Sequence, residues 1–158
     1  MSWPLKLTAA VAMSLALISS DAHAGLNVVG RFKSPDSEID VANYSETDSK
    51  GVEQRIGLLG IAIASKRNSV AFSPKEWGAL ITLWRQAKAA QGPTWRNIGD
   101  FTETGTSDTS HLTVSAGPGV RFIIESPARG AISADLANSD ITRFDAALTQ
   151  ATQFLVAP

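Results

Sequence analysis

The chain has 158 residues, a net charge of −1, 44% hydrophobic and 18% charged residues, and no cysteine. This balance excludes a disordered chain, a collagen-like repeat and a multi-span membrane protein. The missing thiols exclude cysteine nucleophiles, zinc–thiolate centres, disulfides and Cys-linked lipid.

Met1 to Ala24 reads as an export signal. Lys6 is the one positive side chain ahead of Leu7 to Ile18, an almost unbroken apolar run. That run is shorter than the roughly 17–25 residues of a spanning helix and fits a signal h-region. Ala22-His23-Ala24 supplies the small-x-small pattern of a cleavage site, which places the cut between Ala24 and Gly25. The expected product is soluble and exported: periplasmic in a Gram-negative host, otherwise secreted, with no membrane attachment once the leader is gone. Cleavage removes Lys6 and Asp21 together, so the net charge stays −1. A charge-driven binder of nucleic acid or anionic membrane would carry a clear basic excess.

Along the remaining chain, Gly25–Phe32 predicts a first strand. Lys33–Gly51 reads as a polar loop holding a short apolar island at Ile39–Ala42. Ile56–Ala64 is nearly continuous apolar sequence whose Gly57 and Gly60 favour a buried strand over a helix. Ser65–Asn68 reads as a turn, and Ser69–Phe72 as a brief strand. Ser73-Pro74-Lys75-Glu76 has the form of a capping box with proline at the first helical position. Trp77, Leu80, Ile81, Trp84 and Ala87 follow at helical spacing, and Gly92-Pro93 ends that helix.

The pattern then restarts. Trp95–Thr102, His111–Ser115, Val120–Glu125 and Ala131–Leu136 predict strands, with Ala116–Gly119 as a hairpin turn. Asn138 or Ser139 is the expected cap of a last helix presenting Ile141, Phe144, Leu148, Ala151 and Leu155. Val29-Gly30-Arg31-Phe32 resembles Ile98-Gly99-Asp100-Phe101, and the two helical stripes align as well, so an internal duplication is expected. A unit of about 65 residues is marginal alone. The expectation is therefore an α+β protein: two similar units of antiparallel strands followed by one amphipathic helix, residues 25–92 and 93–158, fused as a pseudo-twofold single body.

Candidate chemistry is sparse. His111 is the one histidine after cleavage, and Asp108 and Ser110 beside it suggest a hydrolase triad by residue type. Their adjacency on one loop argues against convergence, and there is no Gly-x-Ser-x-Gly elbow. Asp36, Glu38 and Asp40 alternate, so an extended chain would place three carboxylates on one face, as hard cations require; EF-hand spacing is absent. Trp77 and Trp84 belong to a core stripe, while Trp95 lies outside it and is expected to be more exposed. Gly117-Pro118-Gly119 lacks the strand–loop–helix order of a phosphate cradle. No cofactor is expected.

The short strand running into Ser73-Pro74-Lys75-Glu76-Trp77, with Leu80 beyond, resembles the strand-to-helix junction of the PC4-like transcriptional coactivator family. The resemblance covers about residues 69–88. It implies four antiparallel strands followed by a helix and, by family habit, dimers that bind single-stranded DNA on the sheet. The export signal, the neutral charge and the lack of a basic–aromatic strand pattern depart from that family. The functional expectation is a small exported non-enzymatic binding protein whose partner is an envelope protein or a glycan, with contacts on the polar loops 33–50 and 101–110. The alternatives are a hydrolase centred on His111 and a single-stranded nucleic-acid binder.

Overall fold

The computed structural model describes residues 25–104 and 109–158. Strands β1 (Leu26–Lys33), β2 (Glu38–Thr47), β3 (Glu53–Ile63) and β4 (Lys66–Phe72) precede helix α1 (Pro74–Ala89). Strands β5 (Arg96–Thr102), β6 (His111–Ala116), β7 (Val120–Ser126) and β8 (Gly130–Leu136) precede a 3-10 turn at Asn138–Asp140 and helix α2 (Ile141–Val156). Each set of four strands forms its own antiparallel sheet in chain order. The α+β class and the plan of two sets of antiparallel strands, each followed by a helix, are those the sequence predicts; the first set has a fourth strand beyond that prediction.

Two sequence-based expectations fail in the first sheet. The segment read as a polar loop is mostly β2, a ten-residue strand that pairs along its whole length with β3. Its polar members Asp40 and Asn43 are buried in the sheet, so their polarity conceals the strand. The turn before β4 is only Ala64-Ser65: Ala64 takes the left-handed conformation (φ 50°), and Lys66 already pairs with Ile63. A two-residue hairpin needs positive φ, which alanine adopts at a cost.

The capping box forms as expected. Ser73 Oγ accepts from the Glu76 N–H at 3.2 Å, and Glu76 Oε1 accepts from the Ser73 N–H at 3.0 Å. Leu83 joins Trp77, Leu80, Trp84 and Ala87 on the buried stripe, whereas Ile81 is only half-buried. The second helix starts differently from expectation. Asn138 and Ser139 lie in the 3-10 turn, and Asp140 precedes the helix without a side-chain cap bond.

Both sheets carry a β-bulge in their first strand. Register shifts between Val28 and Gly30 opposite β2, and between Asn97 and Gly99 opposite β6. The glycines admit the helices: a Cβ on Gly30 would stand 2.8 Å from the Ala147 methyl, and one on Gly99 would stand 2.7 Å from Leu83. These contacts reveal a crossed arrangement. Helix α2 lies on β1, β2 and β3, while α1 lies chiefly on β5 and β6. Each helix thus covers the sheet of the other set of strands.

One apolar cluster fills the space between. Phe32, Phe72 and Trp84 from the first set meet Phe122 and Phe144 from the second. The Trp84 and Phe144 rings are 4.5 Å apart, and Phe122 and Phe144 are 5.4 Å apart. Burial of such aromatics removes about 150–250 Å² each from water, which supplies much of the driving force for joining the halves. Polar bonds fix the seam. Trp77 Nε1 donates to Thr152 Oγ1 at 2.8 Å, and Asn68 Nδ2 donates to the carbonyls of Ile124 and Gly130 at 2.8 and 2.9 Å. No helix among the described residues is long and apolar enough to cross a membrane.

Candidate functional site

Side chains alternate across a sheet, so the register decides which residues face away from the shared core. In the first sheet the inward positions include Phe32, Ile39, Leu59 and Phe72. The outward positions form rows across the strands. One row is Val28, Ala42, Leu58 and Ala71; the next is Leu26, Tyr44 and Ile56. These outward residues pack as a second apolar cluster of their own. In the second sheet the corresponding row is Asn97, Ser115, Arg121 and Asp135. Two sheets of the same plan therefore differ on their outer faces, one apolar and one polar. The apolar face explains why β3 reads as a continuous hydrophobic run: it is buried on both sides.

Among the described residues the outward cluster draws on the sheet alone, and Ala42, Leu58 and Ala71 are fully buried. The helices and strands that pack on the first sheet contribute to the inward cluster instead. At the free edge of β4, the buried Glu103 carboxylate accepts from the Ala71 N–H at 3.0 Å.

One end of this face holds the acidic residues considered as a metal site. Asp40 lies opposite Arg31, with Nε to Oδ1 at 3.1 Å, and Glu38 lies opposite Lys33 at 3.5 Å. Burial, together with the neighbouring Glu38, raises the Asp40 carboxyl to about 7, and Arg31 opposes that rise. Asp36 sits exposed in the turn before β2 and does not share the strand. Among the described residues no group of three or more His, Cys, Asp or Glu side chains is placed to hold a metal ion. The cross-strand cations thus occupy the role a metal would have played for Glu38 and Asp40.

His111 begins β6 on the outward face of the second sheet. Its ring meets Thr102 and Asp100 rather than the residues beside it in sequence: Nδ1 is 2.7 Å from Thr102 Oγ1, and Nε2 is 3.4 Å from Asp100 Oδ2. The register pairs Thr102 directly with His111, which brings residues nine positions apart together. Ser110 is buried at the base of the loop, where its carbonyl accepts from the Glu103 N–H at 2.9 Å. Asp108 lies outside the described residues, as do the leader and Ala24. Gly25 is exposed, with φ +90°, and its carbonyl accepts from the Ser45 N–H at 3.0 Å.

The His111 group is open: the histidine side chain is 38% exposed and Asp100 65%. An acyl-transfer site needs preorganised donors in a water-excluding setting, and a central strand such as β6 commits its amides to both neighbours. Beside it, Arg121 forms a fork with Asp135, Nε to Oδ1 at 2.7 Å and Nη2 to Oδ2 at 2.9 Å. That hydrogen bonding holds the guanidinium pKa above its ordinary value. The same guanidinium lies 4.0 Å over the half-buried Trp95 ring, and Gly117 packs against that indole so closely that a Cβ would approach to 2.6 Å. Trp95 is therefore engaged by its own chain and offers no free aromatic platform. Comparison with protein-family models, curated proteins and solved structures finds no match.

Proposed function

We propose that this is a small exported binding protein without catalytic activity, and that it acts through the outward face of the first sheet. The observation that carries the reading is the contrast between the two outer rows: Val28, Ala42, Leu58 and Ala71 against Asn97, Ser115, Arg121 and Asp135. An outer sheet face that met only water would be polar, as the second one is; contiguous apolar surface of this kind serves contact. The charges at the end of the face are neutralised across β1 and β2, so it selects for apolarity rather than for charge. That favours a protein partner presenting an uncharged apolar segment over a glycan, whose hydroxyls would find few donors or acceptors there. The contact surface expected on polar loops moves, in this reading, onto a strand face.

The test uses the exported form of the protein and an immobilised uncharged apolar helical peptide. Val28 is half-buried at the edge of the cluster, so Val28→Glu is expected to abolish retention with the fold intact by circular dichroism. Equal retention of both proteins, or none by either, contradicts the reading.

A second reading, a hydrolase centred on His111, rests on the contacts to Thr102 and Asp100. Thr102 would be the nucleophile, His111 the base and Asp100 the orienting carboxylate. Loss of an ester-hydrolysing activity in both Thr102→Ala and His111→Ala would establish it over the first.

A further inference from the structure

We propose that the protein pairs with a second copy of itself along β8, the two strands running antiparallel about Ser133 so that two four-stranded sheets join into one of eight. This interface is separate from the apolar face of the first sheet and does not depend on it. The order of the sheets leaves four edge strands: β1, β4, β5 and β8. An open edge presents unpaired N–H and C=O groups, and proteins that stay apart blunt it with bulges, charges or covering groups. Three of these edges are blunted. β1 and β5 carry the bulges at Val28/Gly30 and Asn97/Gly99. On β4 the Glu103 carboxylate takes the Ala71 N–H, and Arg129 Nη1 donates to the Arg67 carbonyl at 2.9 Å. β8 has neither device. It pairs with β7 without a break from Gly130 to Leu136, and its sequence GAISADL holds no proline and no cation. Among the described residues, the side chain that bonds to its main chain is Asn68, at the Gly130 carbonyl.

The pattern of the strand points to a second copy as the partner. Antiparallel pairing about Ser133 sets Gly130 opposite the second copy's Leu136, Ala131 opposite its Asp135, and Ile132 opposite its Ala134. Ile132, Ala134 and Leu136 face the core. On that side every facing pair then joins a large residue to a small one, Leu136 to Gly130 and Ile132 to Ala134, which is the complementarity that interdigitated packing uses. On the outer side serine meets serine and Asp135 meets Ala131. Arg121 of the same chain already neutralises Asp135 through its fork. The two Asp135 residues would stand about 13 Å apart along the strands, beyond the screening distance of about 10 Å. A strand matched to its own reverse suits a closed twofold dimer, and a foreign strand need not share that match.

The full chain is expected to sediment at twice the mass of a single chain. Ser133, exposed on the outer side of β8, is the point at which to break the pair. Ser133→Lys and Ser133→Glu each place like charges directly opposite one another, which destabilises an antiparallel pair. Each variant alone should sediment as a monomer while keeping the circular dichroism of the unaltered chain. Mixed in equal amounts, the two should form a heterodimer, because lysine then faces glutamate. That recovery separates a lost contact from a damaged fold. The absence of native cysteine gives a second measurement. Under mild oxidation Ser133→Cys should form a disulfide-linked dimer, whereas Thr113→Cys, on β6 inside the same sheet, should not. A monomeric unaltered chain, a dimer that survives in either charged variant, or a mixture that stays monomeric overturns the proposal. Equal cross-linking at positions 133 and 113 overturns it too. Should either charged variant lose the fold, the two cysteine variants decide the matter alone.

Discussion

The indole Nε1 of Trp84 on α1 donates to Asp145 Oδ1 on α2 at 2.6 Å, tying together helices that each cover the other's sheet. Lys88 Nζ adds bonds of 2.9 and 2.8 Å to the same carboxylate. Burial acts to raise the Asp145 pKa, and the Lys88 and Trp84 bonds outweigh it, holding the carboxyl below its ordinary value. A depressed folded-state pKa contributes stability that is present above the unfolded value and lost as pH falls through the folded one. Asp145→Ala, which leaves the indole N–H unpartnered, is expected to cost about 1–3 kcal/mol in urea unfolding at pH 7. The Asp145 side chain is 48% exposed, so the acid-dependent part is smaller, at most about 1 kcal/mol. Part of the cost of the substitution should disappear near pH 3.

Gly57 packs under Trp77: an added Cβ would lie 2.4 Å from two ring carbons. The bond to Thr152 restrains that ring. Gly57→Ala should therefore destabilise by about 1–3 kcal/mol or more. Trp77→Phe in the same chain should relieve part of the loss, making the two changes non-additive in thermal unfolding.

Asp40 titrates in the opposite sense to Asp145. Its carboxyl is raised to about 7, so the folded chain holds a proton there that the unfolded chain has already released. The associated stability is full below the ordinary carboxylate value and lost as pH rises through about 7. The full chain should accordingly be more stable at pH 5 than at pH 8, by a few kcal/mol at most. Asp40→Asn should flatten that dependence in unfolding midpoints measured across the interval.

Much of the architecture was legible from local signals. The capping box at Ser73, the helical stripes and the alternation in His111–Ser115 all rest on short-range chemistry, and they stand where the sequence predicts them. What escaped depends on partners distant in sequence. The strand character of Glu38–Thr47 comes from pairing with β3, not from its own composition. The meeting of His111 with Thr102 and Asp100 requires the β5–β6 register. The crossing of the helices depends on Gly30 and Gly99 admitting Ala147 and Leu83, and a list of residues does not reveal which sheet a stripe will cover. The apolar outer face had a trace in the unbroken run of β3, but its extent appears only when four strands are set in register.

His111 separates the binding reading from the hydrolase reading. Its contacts are largely exposed, so His111→Ala should change stability by no more than about 0.5 kcal/mol. The binding account also expects identical, background-level turnover of small esters by both proteins. A stability-neutral variant that loses a measurable hydrolysis would transfer the function to the second sheet.

Tyr44, the one tyrosine in the chain, sits on the outward face of the first sheet, 7% exposed. Its phenol pKa is raised, first by burial and then by Glu46. Nitration of Tyr44 by tetranitromethane, compared in the exported form with and without a saturating uncharged apolar helical peptide, tests the central claim most directly. The account predicts that the bound peptide slows modification of Tyr44 by shielding the outward face. Equal nitration rates with and without the peptide would contradict the account.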